Sequence, residues 1–323
     1  MIPRSFLVIT ISVLLLVGYS QSSFSHPLSS TCDPLGWFPE EFGLKDHTVF
    51  YFNNYYYLAS IYLPGERKFA YGRTQDFCNW ENLSPILAGR TTGAWDEAAI
   101  WAPFVIEENG IYYMYYTGVT RNVTQSIMLA TSTNPADPTS WQEQGMVFQP
   151  THKGTIWNAG VWSDCRDPHV IFEDGIYYLY YTGQDEAGGI VGVATAPGPA
   201  GPWTDHGTVI EPTPGNIFES PIAVPYQDFF YLVYHKNIPG QSQGEFSLVG
   251  ESPTGLFREL YPFFPGWAHE IWRDSQNNWR VSYLTTNTVT IAPLSWNELF
   301  QPPRPFIGTQ AYNVFLPITV HGQ

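Results

Sequence analysis

The sequence predicts an all-β protein that folds as a five-bladed β-propeller. One unit recurs along the 323-residue chain: a polar or proline-containing start, an apolar strand, a tight turn and an aromatic strand. No long stretch shows the periodicity of an amphipathic helix. The five copies read KDHTVFYFNNYYYLAS, WAPFVIEENGIYYMYYTG, RDPHVIFEDGIYYLYYTG, ESPIAVPYQDFFYLVYH and WAHEIWRDSQNNWRVSYL.

The spacing of the five copies is typical of propeller blades, whose repeats are about 40–50 residues long before insertions. Further short apolar runs and Gly- and Pro-rich turns follow each copy, so each unit supplies four short strands. A β-sandwich does not account for five copies in one register. We predict one domain over residues 35–310, with the segment QPPRPF closing the ring at its edge. The residues that align are Asp46, Ala102, Asp167, Ser220 and Ala268, at intervals of 56, 65, 53 and 48 residues.

The N-terminus predicts a secretory signal peptide over residues 1–25. Arg4 precedes an apolar run that is shorter than the ~20 residues needed to span a bilayer, although a signal anchor is the alternative. We therefore expect a secreted protein with no membrane contact once the signal is removed. Secretion permits disulfides, and the odd count leaves one of Cys32, Cys78 and Cys165 unpaired. A bond between Cys32 and Cys78 would tie the N-terminal arm to the first sheet and leave Cys165 as a small core residue.

The charge of the chain argues against polyanionic partners. The net charge is −15 and the isoelectric point is about 4.8, so nucleic acid and anionic membranes would be repelled. Hydrophobic residues make up 44% of the chain, which suffices for a large core. We expect a monomer that binds a neutral ligand.

Three acidic residues stand just before the first strands of their units. First strands of propeller blades line the central channel and open on one face, so Asp46, Asp167 and Glu219 are expected to meet in one pocket. Trp101 and Trp162 would provide aromatic surfaces for the C–H faces of a sugar. The sequence thus predicts a pocket of carboxylates and aromatic rings.

Such a pocket suits the hydrolysis of glycosides. That reaction uses one carboxylic acid to protonate the leaving oxygen and one carboxylate on the anomeric side. A third carboxylate beside the acid would raise the acid's pKa by repulsion between like charges. The nearby acids Asp96, Asp164 and Glu270 are the alternatives if the alignment of the units is shifted.

The motifs KDHTVFYF, IWAPFVI, CRDPHVIF and FESPIAV together resemble the five-bladed propeller glycosidases of families 43 and 32. Resemblance to family 43 implies that Asp46 is the general base, that Asp167 tunes pKa and orients substrate, and that Glu219 is the general acid. It implies an arabinose- or xylose-containing plant polysaccharide as substrate, and no required cofactor. It also implies a calcium ion near the propeller axis beside His269, which is a candidate sugar-binding residue as well.

Two departures keep other functions open. Asp46-His47 stands where family 43 usually has Asp-Pro, and Arg166-Asp167-Pro168 is closer to family 32, in which Arg and Asp hold fructosyl hydroxyls. Arg166 is therefore a candidate substrate-binding residue, although the Asn-Asp-Pro-Asn-Gly motif of family 32 is absent. The alternatives are a retaining β-fructosidase on sucrose or fructan and a non-catalytic carbohydrate-binding propeller. A base that activates water would lie about 6.5–9.5 Å from the acid, and a nucleophile about 5–5.5 Å.

Overall fold

The described part of the chain consists almost entirely of β-strands. A single 3-10 turn, Pro138–Ser140, interrupts them, and no described helix is long and apolar enough to cross a membrane.

The predicted signal peptide and Cys32 lie outside the described residues. Cys165 is a buried free thiol, as expected, and Cys78 is disulfide-bonded. The computed structural model describes residues 35–210, 212, 214–215, 217–237, 244–255, 257–262, 266–298, 300 and 302–308.

Five antiparallel sheets form the blades of the predicted propeller. The first strand, β1 (Gly36–Trp37), belongs to the last blade. Blade 1 contains β2 (Gly43–Phe52), β3 (Tyr55–Leu63), β4 (Phe69–Thr74) and β5 (Glu81–Ile86). Blade 2 contains β6 (Ala99–Glu108), β7 (Ile111–Val119), β8 (Gln125–Ser132) and β9 (Gln142–Phe148). Blade 3 contains β10 (Cys165–Glu173), β11 (Ile176–Asp185), β12 (Gly188–Ala196) and β13 (Thr204–Thr208). Blade 4 contains β14 (Ile217–Tyr226), β15 (Phe229–Asn237), β16 (Gly244–Gly250) and β17 (Arg258–Pro262). Blade 5 contains β18 (Trp267–Arg273), β19 (Trp279–Thr285), β20 (Thr288–Asn297) and β21 (Arg304–Ile307).

The aromatic strands and the proline-rich turns of the repeat join neighbouring blades. A tyrosine hydroxyl of each of blades 1 to 4 donates to a proline carbonyl in the turn after the third strand of the next blade. Buried Tyr hydroxyls need such acceptors, so this contact satisfies the polar tip while the ring fills the space between sheets. The pairs are Tyr71 with Pro135, Tyr115 with Pro199, Tyr180 with Pro253 and Tyr231 with Pro303, at 2.5–2.8 Å.

Both ends of the described chain close the ring. Strand β21 pairs with residues 294–297 of β20, which confirms the edge role predicted for QPPRPF. Strand β1 pairs with Val289 and Thr290 of the same strand. Trp37 of β1 is 2% exposed and stacks on Trp80 of blade 1, with ring centroids 5.4 Å apart. A Cβ on Gly72 would lie 2.7 Å from the Trp37 ring, so only glycine leaves room for this contact.

Each innermost strand carries a β-bulge near its start. The bulge residue has a φ between 29° and 54° in all five blades, although none of the five is glycine. This left-handed conformation is uncommon for such residues and costs of order 1–3 kcal/mol, and a bulge redirects the side chains around it. The bulge residues are the five that align when the repeats of this chain are compared with one another, namely Asp46, Ala102, Asp167, Ser220 and Ala268.

Candidate active site

A pocket of about 860 Å³ opens where the five innermost strands begin. It contains all three acids that were predicted to converge from blades 1, 3 and 4. Three other predicted site residues also line it. Together these six are Asp46, Asp167, Glu219, Trp101, Trp162 and Arg166.

The sequence predicts that the acids stand before the innermost strands, whereas in the structure they lie within these strands. Strands β2, β10 and β14 begin two or three residues ahead of the acids, and the bulges turn these residues toward the pocket. Asp46 and Asp167 are bulge residues, whereas Glu219 directly precedes the bulge residue Ser220. The pocket is therefore built from two adjacent rings of residues. The residues that match Glu219 in the other blades are Lys45, Trp101, Arg166 and Trp267.

Arg166 joins the acids of the pocket. Its Nη1 donates to the carboxylate of Asp164, its Nη2 lies 3.2 Å from Oε1 of Glu219, and its Nε lies 3.7 Å from Oδ2 of Asp167. Gln125 accepts a further hydrogen bond from Nη1 at 3.2 Å. Arg166 is only 8% exposed, and an arginine so buried requires partners of this kind. The guanidinium therefore fixes the relative positions of three carboxylates.

Asp167 is held rigidly in the pocket wall. Its Oδ2 accepts hydrogen bonds from the backbone N–H of Ser220 at 2.9 Å and from the hydroxyl of Thr182 at 3.2 Å. Its own backbone N–H donates to Thr117 at 3.0 Å. Burial raises the pKa of Asp167 above its ordinary value, and the charge of Glu219 adds to the rise.

Asp46 differs from Asp167 in the freedom of its carboxylate. Among the residues that the structure describes, none donates a hydrogen bond to the side chain of Asp46. Burial raises the pKa of Asp46 to about 7, and the charges of Asp167 and Glu219 add to the rise, while Lys45 and Arg166 oppose it. The oxygens of Asp46 are thus available to an incoming molecule.

We expect the raised pKa of Asp46 to reduce stability at higher pH. Between the unfolded pKa of 3.8 and the folded pKa of about 7, the native state keeps a proton that the unfolded state has lost. The free energy of unfolding then falls as pH rises. Asn removes this ionisation and tolerates a left-handed φ. The stabilising effect of Asp46→Asn should therefore grow from pH 4 to pH 8, as thermal unfolding would measure. An effect independent of pH would contradict the raised pKa.

Glu219 stands at the edge of the acid cluster. Its side chain is 41% exposed, and it lies directly opposite His235 in the pairing of β14 with β15. His235 also lines the pocket. The hydrogen bond with Glu245 raises the pKa of His235, although burial opposes the rise. Glu219 can therefore reach both solvent and a bound molecule.

The two predicted tryptophans differ in exposure and in their partners. Trp101 is half-buried, and its indole N–H donates to Glu66 at 2.7 Å. Trp162 is 64% exposed and donates to Asp164 at 3.1 Å. Both indole N–H groups are thus occupied. The exposed ring of Trp162 is open to a ligand, whereas Nζ of Lys45 lies over the ring of Trp101, 5.9 Å from its centroid.

His269 lies beneath the pocket and not in its wall. Its side chain is 1% exposed, and its Nδ1 is 3.6 Å from Oε2 of Glu245. It follows a bulge residue, so its side chain enters a cavity of about 20 Å³ on the propeller axis. The structure thus places His269 under the pocket, and its contact with sugar stays a prediction.

The axial cavity also contains His47 and Glu270. Burial lowers the pKa of His47 to about 3, and its Nε2 lies 2.7 Å from the hydroxyl of Ser282. Burial raises the pKa of Glu270 well above its ordinary value, and Asp46 adds to the rise. Burial thus disfavours the charged forms of both His47 and Glu270 on the axis below the pocket.

The described residues around His269 do not fit the calcium ion that the resemblance implies. Calcium takes about six to eight oxygen ligands. The axial cavity has room for roughly one water molecule. Within the described ranges, no group of three or more His, Cys, Asp or Glu side chains is arranged to hold a metal.

The alternative acids have different places. Asp96 is 3% exposed and forms a buried ion pair with Arg90 away from the pocket. Asp164 is in the pocket, as a partner of Arg166. Sequence reasoning missed His235, which also lines the pocket together with Trp267 of the aligned segment in blade 5. For His235 a signal existed, because the YYTG of blades 2 and 3 becomes VYHK in blade 4.

Comparison with known proteins gives related sequences over part of the chain. The model of the family described as glycosyl hydrolases family 43 matches residues 41–165. Arabinan endo-1,5-alpha-L-arabinosidase A of Aspergillus niger is 25% identical over 139 residues, which cover 43% of this chain and 41% of that protein. An extracellular exo-alpha-(1->5)-L-arabinofuranosidase of Cellvibrio japonicus is 28% identical over 119 residues, which cover 31% of this chain and 30% of that protein. The chain thus spans less than half the length of these curated relatives.

The fold is similar to solved propeller structures over most of the chain. An exo-1,5-alpha-L-arabinanase from a bovine ruminal metagenomic library superposes with a TM-score of 0.62 and 17% identity. The match covers 87% of this chain and 99% of that one. In sequence over its first two blades, and in fold over the propeller, the chain therefore resembles the five-bladed propeller glycoside hydrolases of family 43.

Proposed function

We propose that this protein is a glycoside hydrolase that cleaves arabinose-containing polysaccharide with inversion at the anomeric carbon. The convergence of Asp46, Asp167 and Glu219 in one pocket carries the proposal. The arabinan-cleaving activities named for its relatives support the choice of sugar. A neutral polysaccharide also suits a chain with a net charge of −15.

In this reaction Glu219 acts as the general acid and Asp46 as the general base. Glu219 is open to the pocket, where it can protonate the leaving oxygen. Asp46 has no described hydrogen-bond donor, so its carboxylate is free to take a proton from a water molecule. A base works best when its pKa is close to the working pH, and the pKa of Asp46 is about 7.

Asp167 and Arg166 act as supporting residues. Asp167 is fixed by Ser220 and Thr182, so its charge stands at a constant distance from the other two acids. It raises the pKa of Asp46 and contacts sugar hydroxyls. Arg166 holds Glu219 in place and offers a donor to substrate from the pocket wall. Trp162 provides an exposed ring face for a sugar.

We further propose that the protein is secreted and works as a monomer.

The test is a screen of polysaccharides followed by NMR of the first product. Linear arabinan, arabinoxylan, xylan, sucrose and inulin would be incubated with the purified protein, and released reducing sugar measured. We expect turnover of arabinan, with the product anomer inverted. Retention with activity on inulin would instead favour the β-fructosidase alternative. Binding without turnover of any glycoside would favour the carbohydrate-binding propeller.

A further inference from the structure

Blade 4 contains a row of three ionisable side chains that crosses three strands. In the strand pairing, His235 of β15 lies directly opposite Glu219 of β14 on one side and directly opposite Glu245 of β16 on the other. Directly opposite residues of antiparallel strands place their side chains on the same face and in contact. The row therefore begins in the pocket and ends inside the blade.

The other four blades carry different residues at these two positions. Where blade 4 has Glu245, every other blade has a fully buried apolar residue, and only blade 4 has a titratable group where His235 stands. The residues that match His235 are Ile61, Thr117, Thr182 and Leu284. The residues that match Glu245 are Phe69, Ile127, Val191 and Val289. The propeller fold itself thus requires neither the histidine nor the glutamate.

Stability does not explain Glu245. Its side chain is 1% exposed, and no lysine or arginine in the described part of the chain forms an ion pair with it. Its carboxylate faces Nδ1 of His235 at 3.3 Å and Nδ1 of His269 at 3.6 Å. A buried carboxylate is strongly unfavourable without partners, and an apolar residue at such a place is often as stable or more so. What Glu245 does provide is a fixed orientation for the ring of His235.

The orientation leaves one ring nitrogen of His235 for the pocket. Glu245 accepts a hydrogen bond from Nδ1, so Nε2 is the atom that can reach a ligand. The side chain of His235 is 17% exposed, and it lines the pocket next to Glu219. A sugar hydroxyl can either donate to Nε2 or accept from it, so such a contact does not depend on the protonation of the ring.

We propose that Nε2 of His235 binds a hydroxyl of the sugar next to Glu219, and that Glu245 is a positioning residue that fixes the ring. This inference rests on the proposed function and adds a specificity contact beside the general acid. It predicts that substitutions of His235 and Glu245 change KM more than kcat.

The repeat supplies the variants that test the proposal. His235→Thr introduces the residue of blades 2 and 3, and Glu245→Val introduces the residue of blades 3 and 5. With arabinotriose as substrate, we expect His235→Thr to raise KM about tenfold, the effect of one lost hydrogen bond, with kcat changed less than about threefold. We expect Glu245→Val to raise KM without lowering Tm, and Glu245→Gln, which can still accept from Nδ1, to restore KM.

A matched control is His206→Thr, because His206 is an exposed residue of the outermost strand of blade 3 that forms a side-chain hydrogen bond with Thr195 and does not line the pocket. It should leave KM unchanged. Unchanged KM in both test variants, or a lower Tm of Glu245→Val with normal KM, would overturn the proposal while the proposed function stands. If the wild type turns over no glycoside, calorimetric binding of arabinotriose decides: weaker binding by His235→Thr supports the sugar contact, and no binding by the wild type overturns it.

Discussion

The Glu219→Gln variant is expected to lose about 10²- to 10⁴-fold in kcat on arabinan, the usual contribution of a general acid. Gln keeps the shape of the side chain and can still accept from Nη2 of Arg166, which lies 3.2 Å from Oε1 in the wild type. It has no proton to transfer to the leaving oxygen. Substrates with activated aryl leaving groups need little protonation, so their turnover should fall much less. Steady-state kinetics on both kinds of substrate, with calorimetry of arabinotriose binding, measures the difference.

The chain offers a closely matched control in Glu143. Like Glu219, its side chain is 41% exposed and bound to a buried arginine, Arg90, at 2.7 Å, but it lies outside the pocket. Glu143→Gln should therefore leave turnover of both substrate types unchanged. Equal loss on arabinan and on aryl arabinosides in Glu219→Gln would move the acid role to another residue.

The fold was predictable because the strand pattern repeats. An aromatic strand that is apolar on both faces suits a sheet packed between two others, and five such strands in register leave few other folds. The alignment of Asp46, Ala102, Asp167, Ser220 and Ala268 gains a physical meaning in the structure, since all five have a left-handed φ at a bulge. The repeated strand pattern was enough to find these positions.

The closure of the ring and the bulges were not predictable in the same way. Strand β1 has only two residues, too few to show an alternating pattern, and its pairing with β20 depends on contacts across most of the chain. Bulges leave no clear mark in the sequence. The alignment of the repeats already shows Glu219 one residue ahead of the position of Asp46 and Asp167, but only the structure shows that a bulge follows Glu219 and includes the other two acids.

The pocket was predictable where it depends on the repeat and less so elsewhere. The resemblance makes His269 a candidate sugar-binding residue, but its side chain follows a bulge residue and enters the axial cavity beneath the pocket. His235 and Glu245 stand on the second and third strands of blade 4, and the sequence pattern predicts only apolar strands there. Comparing the blades position by position would have found both.

The Asp46→Asn variant is expected to lose about 10²- to 10⁴-fold in kcat on arabinan and on aryl arabinosides alike. The amide cannot take a proton from water, and water must be activated whatever the leaving group. This equal loss distinguishes the base from the acid Glu219. Asp174→Asn is the matched control, because Asp174 is an exposed aspartate with a φ of 50° in the turn between β10 and β11. It should have wild-type kinetics.

The pH dependence of kcat/KM gives a second sign of the base. The carboxylate of Asp46 must be ionised to act, and its pKa is about 7, so kcat/KM of the wild type should fall as pH drops below about 7. The charge of Asp167 raises this pKa and the charge of Lys45 lowers it. Asp167→Asn should therefore move the acidic limb to lower pH, and Lys45→Met should move it to higher pH. Opposite shifts of the limb in these two variants would identify Asp46 as the titrating group, because they follow from the signs of its two charged neighbours. A limb that stays in place in both variants, or one that persists in the residual activity of Asp46→Asn, would assign the base to another residue.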